Sequence, residues 1–138
     1  MGKTKIDPLK ETRLKLFRAH VNKVFNLCMD VYGLSEYQDD YPELVFNDNG
    51  ENEPMGGEFC FENNEIEINY QGFDDSKYCF EYYTKLITHE YLHYLQDGRL
   101  FMVYYSAGHD YKSHPMEVEC YTRETELIDK QLIKFEQQ

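Results

Sequence analysis

A stretch without glycine or proline, from Cys79 to Gln96, constrains the fold more than any other part of the sequence. Its apolar side chains recur near the three- and four-residue spacing that places them on one face of an α-helix; they are Phe80, Tyr83, Ile87, Tyr91, Tyr94 and Leu95. Asp74, Asp75 and Ser76 are candidate N-caps, and Gly98 supplies a C-terminal stop signal. The pattern therefore predicts one long helix with a buried face.

This predicted helix carries the motif H-E-x-x-H at His89, Glu90 and His93. Residues four apart lie one turn apart on the same helix face, so both imidazoles project in the same direction. Two neutral imidazole nitrogens at this spacing can bind one Zn²⁺ at about 2.0–2.1 Å each. Glu90 is rotated away from the metal and is placed to hold the water that the metal activates. The motif supplies two ligands, so we expect a third from downstream.

Two glutamates near the start of a second predicted helix are candidates for the third ligand. Apolar residues at helical spacing predict this helix from Pro115 to Phe135, and Glu117 and Glu119 both fall near its beginning. The two carboxylates are about 200° apart on a helix, so only one can face the metal. We favour Glu117, because Arg123 stands four residues after Glu119 and offers that carboxylate a surface partner.

The rest of the chain predicts a small α+β domain. An apolar stripe from Lys10 to Tyr32 predicts an N-terminal scaffold helix. Glu43 to Phe46 is a strand candidate, and the alternating segments Met55–Phe61 and Glu65–Tyr70 predict a hairpin. The short apolar segment Leu100–Tyr105 fits either a strand or a helix end. With no internal repeat, the 138-residue chain is expected to form a single domain.

Charge and cysteine content limit the partners and the compartment. A formal net charge of −12 argues against nucleic acid and against an anionic membrane surface, whereas a basic or neutral polypeptide partner fits it. The sequence has no run of about 18 apolar residues, and residues 1–15 lack the apolar core of a signal peptide. We therefore expect a cytoplasmic location. The four cysteines form no C-x-x-C pair, which favours buried free thiols.

Taken together, these segments resemble the gluzincin branch of the zincin metallopeptidases, most closely its very small bacterial and phage-type members. The resemblance covers roughly Met55 to Glu126. It is carried by a strand pair ending in Ile66-Glu67-Ile68-Asn69, by Thr88-His89-Glu90-Tyr91-Leu92-His93-Tyr94-Leu95-Gln96, and by Glu117-x-x-Cys120. It implies a minimal zincin-like α+β domain with an N-terminal scaffold helix, a small antiparallel sheet, the H-E-x-x-H helix and a C-terminal ligand helix.

The resemblance also assigns roles to residues, which are His89, His93 and Glu117 as zinc ligands and Glu90 as general base. It implies that a polypeptide substrate pairs with the strand Glu65–Tyr70 beside the cleft. Two positions depart from the family pattern. Cys120 replaces the alanine usual three residues after the glutamate, and Tyr121 stands where an aspartate often orients a ligand histidine.

The function expected from these residues is zinc-dependent hydrolysis of peptide bonds. Glu90 would take a proton from the attacking water and pass it to the leaving amine. Candidates for stabilising the oxyanion lie in or near the loop before the ligand helix, and they are His109, Tyr111 and His114, with Tyr104 and Tyr105 as weaker ones. The alternative is a non-catalytic zinc-binding interaction module with the same ligands, although such a site has no need of Glu90. An acidic, Tyr-rich inhibitor protein is a further alternative, but it leaves the histidine–glutamate pattern unexplained.

Overall fold

The computed structural model describes residues 8–47, 56–69, 74 and 76–133, and their fold is α+β. Its elements in chain order are α1 (Pro8–Tyr32), β1 (Glu43–Asn47), β2 (Gly56–Cys60), β3 (Glu65–Asn69), α2 (Lys77–Leu95), a 3₁₀ turn (Gly98–Leu100), α3 (Phe101–Ser106), α4 (Pro115–Arg123) and α5 (Glu126–Asp129). The predicted scaffold helix, hairpin and H-E-x-x-H helix are confirmed. Four residues named in the predictions lie outside the described residues: Met55 and Tyr70 as strand limits, Asp75 as a candidate N-cap and Phe135 as the end of the last helix.

The three strands form one sheet in the order β1-β3-β2, so β3 is central and β2 is an edge. β2 and β3 pair antiparallel, as the hairpin pattern predicts. β1 runs parallel to β3, so the sheet is mixed rather than antiparallel throughout. The parallel register sets Leu44 beside Ile66 and Phe46 beside Ile68, which aligns apolar side chains on the face that packs against the helices.

The core lies between α1, α2 and the inner face of the sheet, and it is rich in tyrosine, with Tyr83, Tyr91 and Tyr94 fully buried on α2. Their hydroxyls reach backbone carbonyls: Tyr91 donates to Gly33 O at 2.6 Å and Tyr94 donates to Asp40 O at 2.7 Å. A buried hydroxyl without a partner would destabilise the fold, so these hydrogen bonds are what allow tyrosine in the core. They also fix α2 to the chain that leaves α1.

Both ends of α2 are defined by polar contacts. Ser76 is the N-cap, and its side chain accepts a hydrogen bond from Cys79 N at 3.2 Å. The helix stops at Leu95, and Gln96 is its C-cap. Gly98 serves a different purpose from the stop signal expected of it, because the ring of Phe61 occupies the space that a side chain at this position would need. The close approach brings the end of β2 against the end of α2.

The C-terminal part differs from the single helix predicted over 115–135. The helix breaks after Arg123, and a short second helix, α5, begins at Glu126. Arg123 Nε donates to Glu126 Oε1 at 2.7 Å across the break. The change of direction turns Leu127 and Ile133 into the core, where both are buried. The segment 100–105, left open by the sequence, is helical. Among the described residues, no helix combines the length and the apolar character of a membrane span.

Candidate metal centre

The H-E-x-x-H motif lies on the face of α2 that points away from the tyrosine core. His89 and His93 are both buried, and the centroids of their rings are 4.9 Å apart. Helical spacing explains why the histidines and the core tyrosines lie on opposite faces. Tyr83, Ile87 and Tyr91 are four residues apart and share one face, and the two histidines, also four residues apart, share the other. Because α2 is held along its inner face, both imidazoles have a fixed direction.

Glu117 reaches the histidines from the first turn of α4. His114 caps this helix, since its Nδ1 accepts a hydrogen bond from Met116 N at 3.2 Å while its Nε2 donates to Phe101 O at 2.8 Å. One oxygen of the buried Glu117 carboxylate, Oε1, lies 3.0 Å from His89 Nε2 and 2.7 Å from His93 Nε2. Three donor atoms from two helices therefore converge on one small volume.

The separations of these donor atoms fit a single metal ion. Two ligands bound tetrahedrally at about 2.0–2.1 Å lie about 3.3 Å apart. The distances from Glu117 Oε1 to the two imidazole nitrogens, 3.0 and 2.7 Å, are shorter than this by about 0.3 and 0.6 Å. Cys120, one turn further along α4, adds a thiol: His89, His93 and Cys120 each offer a ligand atom within 4.8 Å of the other two. This buried group could hold a metal ion.

Glu119, the rival third ligand, points away from the histidines. Its Oε1 accepts a hydrogen bond from Gln96 Nε2 at 3.2 Å and lies 3.8 Å from a guanidinium nitrogen of Arg123. The arginine contact is the surface pairing that the sequence suggests for this residue. The structure therefore brings Glu117, and not Glu119, to His89 and His93.

Sequence reasoning missed the side chain that orients His93. Gln96 Oε1 accepts a hydrogen bond from His93 Nδ1 at 2.7 Å, and Gln96 Nε2 donates to Met116 O at 2.9 Å. Because the amide nitrogen is bound to an acceptor, the amide oxygen must face the imidazole. Nδ1 of His93 therefore donates to Gln96 while Nε2 is directed at Glu117, and if Nε2 bound an ion the remaining ring proton would stay on Nδ1. The only signal in the sequence is the spacing, since Gln96 follows His93 by three residues.

His89 has a different outer partner. Glu124 Oε1 lies 3.6 Å from His89 Nδ1, and the ring of Tyr121 packs against the imidazole with centroids 4.5 Å apart. The structure thus supplies a carboxylate beside His89, although Tyr121 occupies the position where the family pattern often has an aspartate. Glu124 is the C-cap of α4, seven positions after Glu117; helical spacing puts it on the same face as Glu117, but no motif gives it a role.

Glu90 lies beside the histidines but bonds to the sheet. Its Oε1 accepts a hydrogen bond from Phe59 N at 2.9 Å, so the edge strand β2 holds the carboxylate in place. Burial raises the pKa of Glu90 to about 7, against the opposing effects of the two imidazoles and the Phe59 amide. A carboxylate whose pKa lies near neutrality is suited to accept and release a proton.

The pKa of Glu117 is shifted in the opposite direction from that of Glu90. Burial acts to raise its pKa, but hydrogen bonds from His89 and His93 outweigh burial and lower the pKa to about 2. Burial lowers the pKa of His93, and the hydrogen bond to Glu117 with the nearby Glu90 more than reverses that effect. Glu117 is therefore ionised at neutral pH, whereas Glu90 has a pKa near 7 and can exchange a proton there. Two neighbouring carboxyl groups with such different pKa values are typical of residues with separate roles.

An open cleft of about 550 Å³ gives access to these groups. It runs along β2 and is walled on the other side by α3 and the start of α4; its lining includes His89, Glu90, His93, Phe101 and Glu117. A second cavity of about 320 Å³ shares Gly57, His89, Glu90 and Tyr111 with the first. Both cavities therefore reach the charged site.

The five candidates for oxyanion stabilisation differ in whether they line the cavities. Tyr111 lines both cavities, and its hydroxyl lies 2.8 Å from that of Tyr121. Tyr105 lines the larger cavity. His114 is fully buried and spends both ring nitrogens on the backbone, so it is a structural residue. His109 and Tyr104 are not among the residues that line either cavity.

Comparison of the chain with protein-family models, with curated proteins and with solved structures found no match. The function proposed below therefore depends on the geometry of the site.

Proposed function

We propose that the protein is a zinc-dependent peptidase that hydrolyses peptide bonds by means of an activated water. The observation that supports this most directly is the convergence of His89, His93 and Glu117 next to a carboxylate of different ionisation, Glu90, in an open groove. Three protein ligands plus an accessible side describe a catalytic zinc site, whereas structural zinc sites have four protein ligands.

The donor set favours zinc over harder cations. Two imidazoles and one carboxylate are the ligands of many catalytic zinc sites, while Mg²⁺ and Ca²⁺ prefer oxygen donors alone. When bound, zinc would lower the pKa of a water toward about 7 and polarise the carbonyl of the scissile bond. Gln96 and Glu124 would keep the two imidazoles oriented toward the ion.

Glu90 is the proposed general base. The Phe59 amide holds one oxygen of its carboxylate and leaves the other free to accept the proton of the attacking water. The same carboxyl group then donates that proton to the amine nitrogen that leaves. Its pKa near 7 suits both transfers, because neither protonation state is strongly disfavoured.

Tyr111 is the proposed donor to the developing oxyanion. Tyr111 lines both cavities, and its hydroxyl lies 2.8 Å from the hydroxyl of Tyr121, whose ring packs on His89. The loop that carries Tyr111 is itself ordered by reciprocal hydrogen bonds: Ser113 N donates to Asp110 Oδ1 at 2.8 Å, and Asp110 N donates to Ser113 Oγ at 3.1 Å. A positioned hydroxyl of this kind stabilises negative charge without first having to reorient.

An extended polypeptide is the proposed substrate, and β2 is the strand that would pair with it. The sequence pointed to β3 for this role, but β3 is the central strand and cannot accept another. The Phe59 N–H points to Glu90, away from β3, so by the alternation of an antiparallel ladder the backbone groups of Gly57 also face the cleft. An edge strand whose Gly57 backbone groups face the cleft, with no partner among the described residues, is suited to β-strand addition.

The alternative, a zinc-binding module without catalysis, is favoured by one observation. Cys120 places a sulfur near both imidazoles, and a thiolate added to the three other donors would complete four protein ligands. In that case Cys120→Ser should lower zinc affinity as strongly as Glu117→Ala. For the peptidase, in which three ligands bind the ion, Cys120→Ser should leave zinc affinity within about threefold of the wild type, because a thiol that is not a ligand contributes little.

The decisive experiment compares the zinc-loaded wild type with Glu90→Gln on an unfolded protein substrate such as casein, with and without a chelator. We expect equal zinc content in the two proteins, and hydrolysis by the variant reduced about 10²- to 10⁴-fold, because the amide cannot take up the proton. Glu81→Gln makes the same chemical change on a partly exposed face of α2 and should keep full activity. Zinc-dependent turnover that survives in Glu90→Gln would exclude Glu90 as the base, and no turnover in any protein would leave the binding module as the better account.

A further inference from the structure

We propose that the cleft is specific for a cationic substrate segment, an extended chain with lysine or arginine beside the scissile bond. This inference rests on the proposed function, because it names the class of polypeptide that the same site would take. It is carried by the distribution of charge and aromatic surface along the cleft.

Two exposed glutamates are among the residues that line the cleft beside the candidate metal site. Glu58 on β2 and Glu62 just after it are both exposed, and neither has a hydrogen bond or an ion pair within the described part of the chain. Glu58 also lies directly opposite Glu67 of β3, and like charges in directly opposed positions destabilise a sheet. A cation bound along β2 would relieve that repulsion.

The remaining charges of the larger cavity do not offset these two. Among the described residues that line it are four glutamates and neither lysine nor arginine. A divalent metal would be balanced by the carboxylates of Glu117 and Glu90, so the charges of Glu58 and Glu62 stay uncompensated. The excess of acidic side chains in the whole protein, with a formal net charge of −12, adds to the same negative potential.

The walls of the cavity suit the long stems of basic side chains. Phe61, Phe101, Tyr105 and Met116 line it together with the two glutamates. Lysine and arginine can lay their methylene groups on such surface while the charged end stays at the rim. Aromatic faces also attract cations directly. Aromatic walls with an acidic rim therefore favour a basic side chain over a purely apolar one, and over an acidic one.

The selectivity is confined to one side of the site. The smaller cavity is lined by Lys85, the one lysine or arginine among the described residues that line either cavity, and by Glu124, with Glu90 shared between the two cavities. Because these charges are of opposite sign, the smaller cavity is expected to have little preference for the charge of a substrate side chain. The basic residue of the substrate is thus expected on the Glu58 and Glu62 side of the scissile bond.

The test measures binding, so that it does not depend on hydrolysis. Two fluorescent peptides with the same apolar centre, one flanked by lysines and one by glutamates, are titrated into zinc-loaded Glu90→Gln and followed by fluorescence anisotropy. We expect the lysine peptide to bind at least tenfold more tightly, and the difference to shrink in 1 M salt, where the Debye length is about 3 Å. The double change Glu58→Gln and Glu62→Gln should weaken lysine-peptide binding about 3- to 30-fold, as two partly screened charge contacts would.

A matched control removes two charges elsewhere. Glu11→Gln with Glu43→Gln alters exposed positions on α1 and on β1, the opposite edge of the sheet, and should leave the preference for the lysine peptide intact. Equal affinity for the two peptides, or the same loss in the control as in the cleft variant, would overturn the proposal. If the lysine peptide binds selectively but the wild type never cleaves it, the peptidase fails while the cationic specificity of the groove stands.

Discussion

The two helices that form the candidate metal centre are held in place by different forces. α2 is a 19-residue helix with one face in the core, and its histidines project from the opposite face. α4 has nine residues, and the side chains that it buries, Met116 and Cys120, lie outside the main core cluster. Its polar links to α2 are the Gln96 amide, which donates to Met116 O, and the contacts of Glu117 with the two histidines. One half of the site is fixed in the main core, and the other half is joined to it largely by polar contacts.

This difference explains how the site could accept an ion. The donor distances from Glu117 are shorter than those between ligands of a tetrahedral ion, so the carboxylate must move outward by about 0.3 to 0.6 Å. A helix held by hydrogen bonds can make such a shift more easily than one packed in a dense interior. We infer that α2 sets the direction of the ligands and that α4 adjusts to the metal.

The largest expected effect comes from removing the carboxylate on the adjustable helix. Removing a residue that only hydrogen-bonds a metal ligand lowers metal affinity by up to roughly 100-fold. Glu117→Ala removes a ligand itself, so it should lower zinc affinity by more than that and should abolish hydrolysis. Glu119→Ala, two residues away, serves as the matched control and should change zinc affinity by about threefold or less, since its contacts are those of an exposed carboxylate. Competition with a zinc-binding dye measures both. The reverse order of the two affinities would transfer the ligand role to Glu119.

A substitution on the core face of α2 should separate stability from metal binding. Ile87 is fully buried, so Ile87→Ala should lower the free energy of unfolding by about 2–5 kcal/mol, and Ile87→Val by about 0.5–1.5 kcal/mol. Chemical denaturation of the metal-free protein measures this directly. Where the variants remain folded, zinc affinity should stay close to that of the wild type, because the histidines project from the opposite face. A large loss of zinc affinity in Ile87→Val would show that the two faces are coupled.

The same contrast separates what could be predicted from the sequence from what could not. The helix α2, its buried tyrosine face and the common direction of His89 and His93 all follow from local periodicity. The hairpin follows from alternation and a turn. These features depend on residues close together in the chain, for which the sequence pattern is direct information.

The features that were missed depend on contacts between distant segments. The parallel pairing of β1, the edge position of β2 and the break after Arg123 are decided by packing against the rest of the fold. Cys120 was treated as a small residue in place of alanine, but its thiol lies near both imidazoles. Gln96 and Glu124 could not be assigned, because outer partners of a histidine depend on where its free ring nitrogen points.

The smallest expected effect concerns Gln96, the side chain that joins the two helices. Gln96→Leu keeps the size of the residue but removes the acceptor for His93 Nδ1 and the donor to Met116 O. We expect zinc affinity to fall about 10- to 100-fold, as found for partners that orient a ligand histidine. Gln38→Leu is the matched control, because Gln38 donates to Phe61 O and touches neither histidine. The pKa of His93 in the metal-free protein supplies a second measurement that a purely structural role would not change: the hydrogen bond to Gln96 acts to raise that pKa, so Gln96→Leu should lower it, as followed by NMR titration. If the pKa of His93 and the zinc affinity are both unchanged, α4 is positioned without Gln96, and the division between a packed half and a hydrogen-bonded half must be redrawn around His114.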